Sequence, residues 1–336
     1  MSCHVTPERD DQIVDLSPSP VEGRQSTVTL PAPHPLDFDW RYDEATARAL
    51  VSLLVDMAPV VTIGAPTVAR RLEAVGGDVT LVDRQPIQAV RQHILCDAAS
   101  FSADRHYRAA LVDPPWYPAQ LASWSAAAAR AVGPGGTVFV SVWPETTRPS
   151  ASAELTLLFG EFSHWARISR NTAALHYVTP RFETVAHQYG GATALSRSPL
   201  IGELVRLDVH AMPPAAAQKN TLTEWVRLTI DDYQLAIRRR PGAGPIGMQP
   251  VASTDGWHWP YVSARAPGID QIDIWSSDGE VAALGSPERM IDALTVAVRA
   301  PDYRDFERAL VDAPDLLAWH IPRPPYRRLI QWHHRQ

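Results

Sequence analysis

Between Val60 and Trp143, short runs of aliphatic and β-branched residues alternate with longer segments of helical periodicity, and few architectures accept such a chain. "VVTIGAP" is followed by the helical "TVARRLEAVG", then by "VTLVD", "ILCDA" and "YRAALVDPPW". The helical "PAQLASWSAAAARAVGPGG" and the run "TVFVSVW" close the series. Upstream, "DEATARALVSLLVDMA" carries apolar residues at helical spacing behind Asp43, a good N-cap. Strand and helix in alternation predict an α/β fold with a mainly parallel sheet covered by helices on its faces.

After Pro144 the pattern changes. "WARISRNTAALHYVTP" reads as two antiparallel strands that close the sheet, and "PRFETVAHQYGG" as a short helix. "EWVRLTI" and "YQLAIRR" form a hairpin through Asp231-Asp232, and "IDIW" and "EVAAL" another through "SSDG". Ser286-Pro287 opens a further helix, because Pro is tolerated at its first position. The expected division is a disordered leader over 1–30, an α/β domain over 31–211 and a smaller α+β domain over 212–336.

Composition excludes several classes of protein. Apolar residues make up 45% and charged residues 20% of the 336, as in an ordinary globular chain. No apolar run reaches membrane-spanning length, and "MSCHVTPERDDQ" has no signal-peptide character, so the cytoplasm is the expected location and no membrane partner is expected. Cys3 and Cys96 stand too far apart in sequence to suggest a zinc pair and are read as free thiols. The net charge of −6 speaks against coating nucleic acid by bulk electrostatics and leaves room for a local basic patch.

In a parallel sheet, ligands collect at the carboxyl ends of the strands. Here those ends are Gly64-Ala65, Asp83, Asp97 and Asp113-Pro114-Pro115-Trp116. An acid about twenty residues beyond a glycine turn suits the two ribose hydroxyls of an adenosine cofactor, which is one role for Asp83; capping the following loop is the other. Asp97 is placed to meet an adenine amine or to hold a turn. At the last strand end, two prolines fix a rigid extended turn. Asp113 adds a carboxylate, Pro114 a carbonyl and Trp116 a flat indole, together a receptor for a planar amine whose two N–H groups are accepted while its ring stacks.

Asp113-Pro114-Pro115-Trp116 resembles the [D/N/S]-P-P-[Y/F/W] motif of class I S-adenosylmethionine-dependent amino methyltransferases, particularly those acting on adenine N6 in DNA or RNA. The order of glycine turn, acid ending the second strand, four-residue motif and C-terminal extra domain fits as well, and the resemblance covers roughly Leu36 to Val178. It implies a Rossmann-like domain, S-adenosylmethionine as cofactor, no metal, and a base flipped beside Trp116 if the target lies in a duplex. It also implies that Trp40, Arg41 and Tyr42, in the segment before the glycine turn, help hold the methionine part of the cofactor. The sequence departs from the family in having one glycine, Gly64, in the first turn, followed by Pro66, and in lacking Thr-Pro upstream.

Three readings stand. The first is methyl transfer to adenine N6, with Arg238, Arg239, Arg240, Arg327 and Arg328 as candidate phosphate contacts; solvated surface is the other account of those arginines. The second keeps the fold with a protein glutamine or a small amine as acceptor; aminopropyl transfer is a lesser variant. The third is a catalytically silent fold that binds a protein partner. His258 and the pair His333-His334 lack partners at metal-ligand spacing, no P-loop or Gly-x-Ser-x-Gly pattern occurs, and Trp275 and Trp319 read as core.

Overall fold

The computed structural model describes residues 30–37, 39–87, 90–189, 200–214, 225–242, 244–251, 269–326 and 331–333. The expected leader up to residue 29, Cys3, His258, Arg327, Arg328 and His334 lie outside the described residues. The chain divides into two compact units.

The first unit begins with β1 (Arg41–Tyr42) and α1 (Glu44–Leu54). Asp43 caps α1 by accepting the Thr46 N–H at 2.8 Å. Then come β2 (Val60–Ile63), α2 (Pro66–Ala74), β3 (Val79–Asp83), β4 (His93–Leu95), β5 (Ala109–Val112), α3 (Pro118–Val132) and β6 (Thr137–Val142). α4 (Ala151–Phe162), β7 (Ala166–Val178) and β8 (Ile201–Val209) complete it.

The eight strands lie in the order β4-β3-β2-β5-β6-β8-β7-β1, parallel from β4 to β6 and antiparallel beyond. Every residue of β2, β3, β5 and β6 is buried, which is why these runs are almost continuously apolar rather than alternating. The domain is Rossmann-like α/β, as the strand–helix alternation required.

One element differs from the sequence reading. "ARISRNTAALHYV" is a single strand with an irregularity between Asn171 and Ala174, not two strands, and its partner is β8, which the sequence reading passed over. A bulge interrupts the period-2 pattern of a long strand and makes it look like a turn.

The second unit holds α5 (Arg181–Tyr189), β9 (Trp225–Ile230), β10 (Tyr233–Arg238), β11 (Met248–Gln249), β12 (Ile274–Ser276) and β13 (Val281–Leu284). α6 (Pro287–Ala297), α7 (Tyr303–Ala309) and β14 (Gln331–His333) follow. Its sheet is antiparallel, in the order β11-β13-β12-β10-β9-β14, and both expected hairpins are present. Leu228, Leu235, Ile274, Met290, Leu294 and Phe306 form part of its core. Trp275 is 1% exposed, and Trp319 packs against the same core.

The stretch that ends at Trp40 and the segment carrying α5 cluster with this second unit, whereas the sequence reading put both in the α/β domain. Long-range contacts explain the first assignment. The Ala32 N–H donates to the Asp232 carbonyl at 2.6 Å, and His34 Nε2 lies 3.0 Å from the Trp275 carbonyl. Asp37 and Arg227 form a two-pronged ion pair at 2.7 and 2.8 Å, with side chains 4% and 8% exposed.

Candidate functional site

The first unit's strand order fixes where a ligand would sit. From β2 the chain runs through α2 to β3 on one side and later returns to β5 on the other, so the carboxyl ends of β2 and β5 flank the topological switch point, where open α/β sheets bind ligands. Gly64 follows β2 and Asp113 follows β5, and the Asp113 N–H donates to the Ile63 carbonyl at 3.0 Å.

Gly64 has a φ of 71°, which an L side chain rarely adopts, and a Cβ there would lie 2.7 Å from Trp124 Cζ3 and 2.9 Å from the Asp113 carbonyl oxygen. The turn is therefore closed by the indole of α3 and by the first residue of the Asp113–Trp116 segment. Gly64→Ala is expected to lower stability by about 1–3 kcal/mol through its backbone conformation alone. Thermal unfolding checks this, and Gly64→Ala/Trp124→Leu should recover only the part due to the clash.

Asp113 leaves β5 half-buried, Pro114 is buried and Trp116 is half-buried. Among the described residues no main-chain N–H donates to the Pro114 carbonyl, as expected of a turn that no strand partners. Tyr177, near the end of β7, donates its hydroxyl hydrogen to Asp113 Oδ1 at 2.8 Å, and the same hydroxyl is hydrogen-bonded to Ser141 Oγ of β6. The Tyr42 ring lies 4.8 Å from the Tyr177 ring, and Trp116 meets Tyr177 edge-on at 6.0 Å, their planes 86° apart. Burial pushes both tyrosine hydroxyls well above their usual range, and the nearby Asp113 charge adds to it, so both stay protonated.

Gly202 of β8 completes this cluster. A Cβ there would lie 3.2 Å from Trp116 Cζ2 and 3.3 Å from both Ser141 Oγ and Tyr177 Cε2, so the missing side chain makes room for the indole. The sequence reading missed Tyr177, Ser141 and Gly202. A lone glycine inside an otherwise alternating strand is a recognised sign of close approach and could have flagged Gly202. Nothing local marks Tyr177 or Ser141, because strand order alone brings them to Asp113.

The remaining first-unit candidates are distributed along the strand ends. Asp83 ends β3, is 9% exposed, and accepts the Gln85 N–H on Oδ1 at 2.8 Å, the loop-capping role. His93 Nε2 lies 3.3 Å from the Asp83 carbonyl, and burial lowers its pKa, which favours a neutral ring. Asp97 accepts the Ala99 N–H at 2.9 Å and caps a short 3-10 turn. Ala65 precedes α2 without a capping side chain, and Pro66 begins the helix. Arg41 is on β1 beside Tyr42, while Trp40 clusters with the second unit. Tyr42 stands against the Asp113 cluster, its ring packed on Tyr177.

In the second unit, Arg238 donates to the carbonyls of Asp270 and Ile269 and lies 5.0 Å over the Trp225 ring. Arg239 Nε is 3.5 Å from Glu288, and Arg240 Nη2 is 2.6 Å from Asp273 Oδ2. Of the five candidate phosphate contacts, these three have partners inside their own unit. Among the described residues no helix is long and apolar enough to cross a membrane.

No family model matches the sequence, and no curated protein does. Solved structures do resemble it. The branched-chain polyamine synthase of Thermus thermophilus, in complex with N4-aminopropylspermidine and 5'-methylthioadenosine, is 15% identical over 55% of this chain, with a TM-score of 0.45. The match spans 62% of that synthase's length. The N-methyltransferase NodS of Bradyrhizobium japonicum matches 50% of this chain and 98% of its own, at 13% identity and a TM-score of 0.32. The 16S rRNA N2 G1207 methyltransferase of T. thermophilus matches 59% and 48%, at 14% and 0.30.

Proposed function

We propose that the first unit is an S-adenosylmethionine-dependent methyltransferase domain that modifies an exocyclic amine, adenine N6 first among the acceptors. One observation carries this reading: the Asp113–Trp116 turn stands at the switch point of a Rossmann-like sheet, its carboxylate held by a buried tyrosine and its indole facing an aromatic wall. Asp113 and the Pro114 carbonyl would accept the two N–H groups of the amine and draw its lone pair out of conjugation. Trp116 would stack on the ring. Tyr177 donates to Asp113 Oδ1 and so holds the carboxylate in place.

The residues present suit the cofactor's adenosine end. Asp83 stands at the carboxyl end of the strand next to β2, where a carboxylate accepts ribose hydroxyls, and Asp97 is in the loop after β4, the strand next to β3. When bound, the cofactor supplies an electrophilic sulfonium methyl group. Calorimetric titration with S-adenosylmethionine and S-adenosylhomocysteine tests the reading. Micromolar binding is expected, weakened at least tenfold in Asp83→Asn, a variant that keeps an acceptor for the Gln85 N–H.

A second reading has its own support. The space a Cβ would take at Gly64 is closed by Trp124 and the Asp113 carbonyl, which accounts for that glycine through packing alone. Asp83 and Asp97 likewise cap their own loops. A catalytically silent fold that binds a protein partner fits those facts, and a folded sample that gives no heat with either ligand would favour it.

A further inference from the structure

In the second unit, the β12–β13 turn reads Ser276-Ser277-Asp278-Gly279-Glu280, and Gly279, at a φ of 92°, reverses the chain. The turn buries two carboxylates, with Asp278 2% and Glu280 3% exposed. Two such charges side by side need strong compensation.

Glu280 is held firmly. Its Oε2 accepts from Tyr233 Oη at 2.9 Å and Ser276 Oγ at 2.8 Å, and its Oε1 accepts the His320 N–H at 3.1 Å with His320 Nδ1 at 2.9 Å. Asp278 is not: among the described residues nothing donates a hydrogen bond to its buried Oδ2. The cations facing it are Arg181 Nη2 at 3.1 Å, on a side chain 60% exposed, and, when protonated, His320 Nδ1 at 3.6 Å. Burial pushes the Asp278 carboxyl up to about 6, against the pull of Arg181.

We propose that Asp278 Oδ2, Glu280 Oε1 and His320 Nδ1 form a binding site for a divalent transition-metal ion such as zinc or manganese. One donor atom from each of the three residues lies within 4.8 Å of the other two. Ligands about 2.1 Å from one tetrahedral ion are about 3.4 Å apart, so the 2.9 and 3.6 Å separations need little adjustment. One imidazole nitrogen and two carboxylate oxygens suit a borderline ion. Tyr233 and Ser276 orient the glutamate as the outer partners of metal ligands do. His320 is 55% exposed on its side chain and leaves a path from solvent. On binding, the metal takes the place of any Nδ1 proton and of the Arg181 guanidinium, which swings into water. Short-range spacing hid this site, because Asp278 and Glu280 are two residues apart in a turn and His320 is forty residues further on.

The test titrates the full-length protein, stripped with a chelator and dialysed at pH 7.5, with zinc chloride and manganese chloride, followed by calorimetry and thermal unfolding. One equivalent of either ion is expected to bind in the micromolar range or tighter and to raise the unfolding temperature. His320→Ala and Asp278→Asn should each weaken that event by about tenfold or more, and Arg181→Ala should strengthen it. Asp278→Asn also removes a poorly compensated buried charge, so the metal-free variant should melt a few degrees higher, which separates lost binding from misfolding. Absence of binding of both ions by the folded wild-type protein, or binding that persists unchanged in His320→Ala and Asp278→Asn, overturns the site.

Discussion

Asp113→Ala is expected to lower methyl transfer by roughly 10²–10³-fold, the usual effect of losing one group placed against a developing charge, while S-adenosylmethionine binds within a few-fold of wild type. The expectation rests on the position of the carboxylate. It stands at the switch point, where the proposed acceptor would sit, and Tyr177, which donates to it, belongs to the aromatic wall. Its loss leaves the Tyr177 hydroxyl bonded to Ser141, so the fold should suffer little. Asp113→Asn keeps an acceptor for Tyr177 and should retain more activity than the alanine variant. Single-turnover transfer with adenine-containing DNA and RNA, beside cofactor titration, reads both quantities. Full activity in Asp113→Ala would mean that the acceptor binds elsewhere.

Asp37→Ala is expected to destabilise the second unit by about 3–5 kcal/mol, because it leaves the Arg227 guanidinium buried without its carboxylate. Removing both charges should do much less harm: Asp37→Leu/Arg227→Met exchanges the pair for apolar side chains and should return most of the loss. Urea unfolding followed by tryptophan fluorescence measures both, with Trp275 reporting from the second unit's core. Equal destabilisation in the single and double variants would show that packing, not charge, holds the segment.

How much of this was legible beforehand follows from the range of each interaction. The β2–β6 alternation could be read because buried parallel strands are short apolar runs between helices, and the Asp43 cap and the hairpin through Asp231-Asp232 are written within a few residues. The Asp113–Trp116 turn was visible for the same reason. Tyr177 was not, since it reaches Asp113 from 64 residues away across strands whose order no local pattern states. Arg238, Arg239 and Arg240 form a run of like charge in sequence, and the groups they meet, the Asp270 carbonyl and the Glu288 and Asp273 carboxylates, come from segments far along the chain. A charge cluster shows its sign locally and its partners only after folding.

The way the second unit gathers separated stretches of chain also sets a timetable. His34 meets the Trp275 carbonyl across 241 residues of sequence. At roughly 5–20 residues per second, the ribosome needs on the order of tens of seconds between making one and the other. Asp37 must wait for Arg227 and Ala32 for Asp232, while the Rossmann-like unit acquires its own last strand, β8, before either is made. The nascent protein should therefore complete its proposed catalytic half first, and a chaperone that shields apolar segments would find its substrate in the early part of the second half.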